Sequence, residues 1–246
     1  MKFLVAISQT PETTARIAFK NEGSVFDNNG VNFILNPYDE WYALVRALEL
    51  KEQHGGTVTV IHCGPAANDV NIRKALAIGA DDAVRIDVEP DSSHSVATQI
   101  ASFAKDQNYD VILTGKETID FNGSSVGAMI AELLDLPFIS NASKLDYKAE
   151  MATVIRDIEG GTEEIEVIGP FVLSAAKGLA EQRIPNMRGI MSAKTKPLQV
   201  VQPVSAETFT EHIHFQVPSA KKTIKMIDPH DMDELVRLLH EEAKVI

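Results

Sequence analysis

The sequence is nearly without cysteine. Cys63 is the single one in 246 residues, which excludes an intrachain disulfide framework and a thiolate metal cluster and suits a reducing compartment. Basic charge is also scarce: 23 lysines and arginines face 35 aspartates and glutamates, for a formal net charge of −12. A general nucleic-acid coat needs the opposite sign to release counterions. Long hydrophobic runs are missing, since no stretch approaches the ~18 apolar residues that span a bilayer. The opening run ends at Ser8-Gln9, too short for the apolar core of a signal peptide. The expectation is a soluble, cytoplasmic protein with no membrane insertion. No internal repeat or low-complexity tract interrupts the chain.

What is present is ordinary globular composition, 44% hydrophobic and 24% charged, in an alternating pattern. Short β-type runs at Phe3 to Ile7, Thr57 to His62, Ala83 to Val88 and Val111 to Thr114 alternate with helical spacing. The helical stretches follow Asn36-Pro37, run from Asp69 to Ile78 and from Ser95 to Gln107, and extend over about Ser124 to Leu134. This rhythm predicts an α/β fold: a doubly wound, mostly parallel, Rossmann-like sheet covered on both faces. Asn36 is a good N-cap with Pro37 at the first helical position, and Asp27-Asn28-Asn29-Gly30 reads as a hairpin turn between 24–26 and 31–35. Short strands at Thr153 to Arg156, Glu163 to Ile168 and Phe171 to Ser174 are expected to extend the same sheet. Residues 178–197 lack periodicity and are basic. Residues 1–197 then form a nucleotide-binding domain, and 198–246 an extended arm ending in an amphipathic helix near Asp231 to Lys244.

The residue types that carry chemistry gather after the strands. Gly115 to Gly127 follows a buried strand and opens a helix, where backbone N–H groups and hydroxyls of Asn122, Gly123, Ser124 and Ser125 favour a phosphate. The run is neither a Walker A loop nor GxGxxG, and its plain reading is a polar turn with Ser124 as cap. Cys63-Gly64-Pro65 lies on the same rim, with nothing nearby in sequence to activate the thiol. Glu159-Gly160-Gly161-Thr162 reads as a hairpin turn rather than a carboxylate acid/base site. His212 and His214 have no third ligand in sight, so they read as the polar face of a strand rather than a metal site. No catalytic residue is expected.

Taken together, these segments resemble the beta subunit of electron-transfer flavoproteins over almost the whole chain. The ordered set is Ala6, Asn36-Pro37-Tyr38-Asp39, Cys63-Gly64-Pro65, Arg73 to Asp81, Gly115 to Asp120, Val154 to Gly161 and Ile190 to Pro197. The resemblance implies a heterodimer in which an alpha subunit carries most of the FAD site and this chain buries a structural AMP. Electrons pass from acyl-CoA dehydrogenase-type donors of fatty acid β-oxidation to a quinone oxidoreductase. On this resemblance the chain is an electron-carrier subunit, not an enzyme.

The implied AMP contacts are Ala6, Asn36, Pro37, Tyr38, Asp39, Cys63 and the run Gly115, Lys116, Glu117, Thr118, Ile119, Asp120, Phe121, Asn122, Gly123, Ser124, Ser125 and Val126. The implied partner-docking loop is Arg183, Ile184, Pro185, Asn186, Met187, Arg188, Gly189, Ile190, Met191 and Ser192. Met187 stands there where the family usually has Leu, and Asp157 matches an acidic position that pairs with an Arg of the alpha subunit. The arm would clasp that subunit. Two departures bear on cofactors. Ser8-Gln9-Thr10-Pro11 replaces the usual Lys and aromatic near the flavin. Gly123-Ser124-Ser125-Val126-Gly127 is closer in outline to electron-bifurcating members, which hold a second FAD in the same site. A stand-alone adenine-nucleotide module of the universal-stress type shares the sheet but has no use for the 180s loop or the arm. A nucleotide-dependent ligase would need a Ser-Gly-Gly-x-Asp-Ser loop that Ser8-Gln9-Thr10-Pro11 is not.

Overall fold

The computed structural model describes residues 1–148, 150–219 and 224–246; the part of the expected arm at 220–223 lies outside the described residues. Chain order gives β1 (Lys2–Ala6), β2 (Gln9–Pro11), β3 (Phe19–Lys20), β4 (Val25–Phe26), β5 (Phe33–Leu35), α1 (Asp39–His54), β6 (Thr57–Cys63), α2 (Asp69–Ile78), β7 (Asp82–Ile86), α3 (Ser93–Ala104), β8 (Val111–Gly115) and α4 (Val126–Leu134). There follow β9 (Phe138–Lys148), β10 (Met151–Ile158), β11 (Gly161–Ile168), β12 (Phe171–Ala175), α5 (Met187–Ala193), β13 (Leu198–Val201) and α6 (Met232–Arg237), which runs on into a π-helical segment, Leu238–Ala243. Two compact units emerge, one of residues 1–16 and 28–213, the other of 17–27 and 214–246.

The larger unit is built on a nine-stranded sheet in the order β11-β10-β9-β12-β8-β1-β6-β7-β13. Its pairings are parallel apart from the β9–β10 and β10–β11 hairpins. The central strands are mostly apolar on both faces because both are covered, with Thr59, His62, Arg85 and Thr114 as buried polar exceptions. Phe3, Val5, Val58, Val60, Leu113 and Leu173 face the core shared with α1 and α2. Leu4, Ala6, Ile61, Ile112 and Val172 face the core shared with α3 and α4. The sheet is doubly wound, as the alternation predicts. Strand order reverses at β1, between β6 on one side and β8 on the other, and this switch point sets where a crevice opens.

Several local expectations are corrected. The run 24–26 does not form a hairpin with 31–35: Val25–Phe26 pairs with Phe19–Lys20, and Phe33–Leu35 pairs with Gln9–Pro11. The turn itself forms, with Val31 N donating to Asn28 O at 3.2 Å, but the runs on either side of it pair with earlier segments. Asn36 does not cap α1, which begins at Asp39 behind Tyr38; its side chain is used elsewhere, as described below. The 178–197 stretch contains the seven-residue helix α5. Residues 202–219, which include His212 and His214, form no strand; Pro203 and Pro218 remove ladder donors on either side. Between 136 and 153 sequence reading found no strand, yet β9 is eleven residues long.

In the smaller unit the Phe19 ring stacks on Phe215 at 5.0 Å and meets Phe26 edge-on at 6.1 Å. Phe215 N donates to Gly23 O. No helix among the described residues is long and apolar enough to cross a membrane.

Candidate functional site

Parallel register brings the carboxyl ends of β1, β6 and β8 to one edge, with Ala6 level with Ile61 and Val5 level with Leu113. The segments leaving these ends are tied together by side chains. Asn36, 1% exposed, donates from Nδ2 to Glu117 O and accepts from Ile119 N, both at 3.0 Å. Its amide thus completes the backbone of the loop after β8, which is why it is unavailable as a helix cap. Ser124 Oγ donates to Glu117 at 3.1 Å, folding the far end of the loop back. Gly115 is required here: a Cβ on it would lie 2.7 Å from Glu40 Cγ and 3.0 Å from Glu40 N.

Below this junction Glu40 is buried, accepting from Ser8 N and Ser8 Oγ at 2.6 Å each. Burial pushes its carboxyl up to about 8, against the opposing effect of the Ser8 hydrogen bonds. Burial also raises Asp39, partly offset by the Lys116 ammonium. Lys116 pairs with Glu117 at 3.0 Å, which raises the lysine and lowers the carboxylate. A cavity of about 230 Å³ opens beside them, lined by Pro37, Tyr38, Asp39, Tyr42, Lys116, Glu117, Ile119 and Lys177.

Three non-glycine residues of the predicted set have left-handed φ: Tyr38 at +70°, Asn122 at +50° and Ser124 at +49°. Such residues are uncommon and cost of order 1–3 kcal/mol each, and they cluster at ligand clamps. The cap of α4, Ser125, makes no side-chain hydrogen bond to the helix, so the first-turn N–H groups of α4 are not closed off by their own cap.

On the opposite side of β1, a buried polar network holds the Cys63-Gly64-Pro65 turn. Arg85 donates to Gly64 O at 2.9 Å and sits 2.8 Å from Asp69 and 2.5 Å from Asp87. His62 Nδ1 lies 2.9 Å from Ile7 O and Nε2 lies 2.9 Å from Asn68 Nδ2. Burial holds that imidazole below its usual pKa, so Nδ1–H donates and Nε2 accepts. Cys63 is buried and its thiol is pushed up to about 12, which makes it inert rather than nucleophilic.

Against α1 and α2, Arg183 to Ser192 forms a short capped projection. Asn186 Oδ1 accepts from Gly189 N at 2.8 Å. Ile184, Met187 and Met191 are 88%, 74% and 68% exposed, while the base is fixed. Arg183 makes a two-point pair with Glu52 at 2.6 and 2.9 Å, and Trp41 Nε1 donates to Arg183 O at 3.2 Å. Lys196 Nζ donates to Leu76 O and Ala80 O, at the carbonyl end of α2, at 3.0 and 2.5 Å. Asp157 is exposed near the β10–β11 turn and accepts from Ser143 Oγ at 3.2 Å.

The structure thus joins the Asn36 to Asp39 segment to the Gly115 to Ser124 loop and sets Ala6 and Cys63 on the same edge. Arg183 to Ser192 and Asp157 do not line the cavity beside these segments. Glu40, Tyr42, His62, Arg85 and Lys177 are not among the sequence-predicted residues, and Ser8 enters there only as a departure near the flavin. Glu40 looked like an ordinary acidic residue of a first helical turn, and nothing local marked it as buried.

A model of the electron transfer flavoprotein domain matches residues 23–206. Over an alignment of 260 positions the chain is 36% identical to "Electron transfer flavoprotein subunit beta" of Bacillus subtilis, covering 100% of both chains. The chain belongs to the electron transfer flavoprotein beta-subunit family. The human member is 32% identical over 82% of this chain and 82% of its own. The relative named "Protein FixA" from Azotobacter vinelandii is 30% identical over 95% and 90%. The family is one of electron carriers rather than of hydrolytic or group-transfer enzymes, and it is a flavin-associated one.

Proposed function

We propose that this chain is the beta-type partner of a heterodimeric electron-transfer flavoprotein. It holds AMP at the β1/β8 switch point and presents Arg183 to Ser192 to an acyl-CoA dehydrogenase-type donor. The observation that carries the reading is the loop after β8. Asn36 and Ser124 hold it in an open cradle at the head of α4, where uncapped N–H groups and the helix dipole suit a phosphate. A Cβ on Gly123 would meet nothing closer than 3.6 Å, so a ligand can approach the backbone there. The residues present therefore fit an adenine mononucleotide: Asn122 to Val126 at its phosphate, with Ala6, Cys63 and Asn36 to Asp39 framing the remainder.

FAD, when bound in the heterodimer mainly by the alpha subunit, supplies the redox chemistry. This chain contributes no acid, base or nucleophile to that chemistry. Its tasks are to stabilise the assembly, to anchor the donor through the apolar ridge of Ile184, Met187 and Met191, and to leave the alpha subunit free to deliver electrons to a quinone oxidoreductase. Asp157 pairs with an arginine of the alpha subunit.

Co-expression with an alpha-type chain, followed by release and chromatography of bound nucleotides, tests the reading. The expected result is one FAD and one AMP per heterodimer. Two FADs without AMP would place a second flavin in the cradle, and a colourless monomer that takes no alpha partner would overturn the assignment.

A further inference from the structure

We propose that residues 204–212 form a strap over this chain's own nucleotide loop, and that His212, stacked on Phe121, closes it. The proposal rests on the AMP reading above and adds to it a residue and a segment outside the predicted contact set. The arm was expected to serve a partner chain. Its first part instead belongs to the sheet-bearing unit: β13 pairs with β7, and Asp87 N donates to Val201 O at 3.0 Å just beyond the strand.

From there the strap is pinned stepwise along α3. Gln99, 3% exposed, reaches the Val204 backbone with both ends of its amide. Nε2 donates to Val204 O at 2.7 Å, and Oε1 accepts from Val204 N at 2.8 Å. A side chain here replaces the partner strand that the proline-flanked arm lacks. Nearer the start of α3, His94 Nδ1 donates to Glu207 O at 3.1 Å, and the same ring meets Phe209 edge-on at 4.6 Å. Thr208 Oγ1 donates to Asp91 at 3.3 Å. The strap then leaves α3, and the His212 ring stacks on Phe121 with centroids 5.1 Å apart and planes at 28°.

Phe121 lies in the middle of the β8–α4 loop and is 61% exposed, so the protein core does not immobilise it. The same loop faces the start of α3, where a Cβ on Gly123 would come 3.6 Å from Ser93 Oγ. Loop and strap therefore share α3 as a common base. The loop cannot swing away from the strand ends without parting the Phe121–His212 stack. A bound nucleotide held under Asn122 to Ser125 is released only when that stack breaks, so the effect falls on the off-rate.

The test uses the full-length chain in complex with its alpha subunit, loaded with radiolabelled AMP and chased with excess unlabelled AMP. Release is compared for wild type, His212→Ala, His212→Phe and His94→Ala, with flavin absorbance and melting temperature recorded in parallel. His212→Ala should release AMP about two- to tenfold faster, the range expected for loss of one aromatic pair. His212→Phe, which keeps the stack, should restore the wild-type rate, and flavin content should not change. His94→Ala removes a half-buried pin that is outside the predicted contact set and should also speed release; it carries the test should His212→Ala fail to assemble. Wild-type rates in His212→Ala, or in His94→Ala in its place, overturn the strap, as does a His212→Phe protein as fast as His212→Ala. A wild-type complex that neither contains nor takes up AMP overturns the nucleotide reading and the strap together; wild-type retention with unchanged release in the variants overturns the strap alone.

Discussion

Glu40 shows how a single residue can set the pH response of the site it supports. Its unfolded value is 4.5 and its folded value about 8, so folding takes up a proton between those limits. The stability this provides is complete below the unfolded value and is lost as pH rises through the folded one. Glu40→Gln keeps the neutral form at every pH, and its amide can accept from Ser8 N while donating to Ser8 Oγ. The variant's melting temperature should fall less than wild type's between about pH 5 and 9, a gain at the upper end on the order of a few kcal/mol. Parallel melting curves across that range would show that Glu40 is ionised in the folded protein. Met187 is a residue of the opposite kind, exposed and apolar, with a thioether that adapts to a partner's pocket. Met187→Ala should raise KM for the dehydrogenase donor about tenfold with flavin content intact; loss of flavin would mean that the loop is structural.

At the scale of elements, the proposed docking projection depends on how closely α5 approaches α2. A Cβ on Gly189 would lie 2.3 Å from Ala77 O, so Gly189→Ala must push the two helices apart. The expected outcome is a loss of about 1–3 kcal/mol in thermal unfolding together with weaker donor coupling. Unchanged stability would show that α5 rides loosely on its neighbour. The legibility of these elements followed their physics. Asp69 to Ile78 was read to the residue because an acidic start, helical spacing and Gly79 agree, and the alternating strands announced the sheet. α5 was hidden because seven residues with exposed methionines show no buried stripe. Asn36 misled because a good cap residue was taken by a more distant demand, the bare backbone at Glu117 and Ile119. Of the candidate site, the rim was legible from strand ends; the buried supports Glu40, His62 and Arg85 were not, because what buries them comes from elsewhere in the chain.

For the whole molecule, a net charge of −12 and an exposed Asp157 beside the β10–β11 turn suit a partner with a basic contact surface. Asp157→Asn keeps the hydrogen bond from Ser143 and removes only the charge. It should weaken the alpha–beta association about tenfold, measured by dilution and analytical ultracentrifugation, and do so less at high salt. Equal affinity at all ionic strengths would remove Asp157 from the interface.

The sheet order carries one further consequence, for the way the protein is made. Residues 176–197, which hold the Arg183 to Ser192 projection, connect β12 near the middle of the sheet to β13 at its far edge, and β13 pairs with β7, made more than a hundred residues earlier. A ribosome therefore exposes Met187 and its apolar neighbours before the strand that seats their far end has left the exit tunnel. Until Val201 has left the exit tunnel, the ridge proposed to meet a donor has only one end tethered in the sheet. A chain broken off before that point presents a loose loop, and on the proposed reading competence to dock arrives with the pairing of β13.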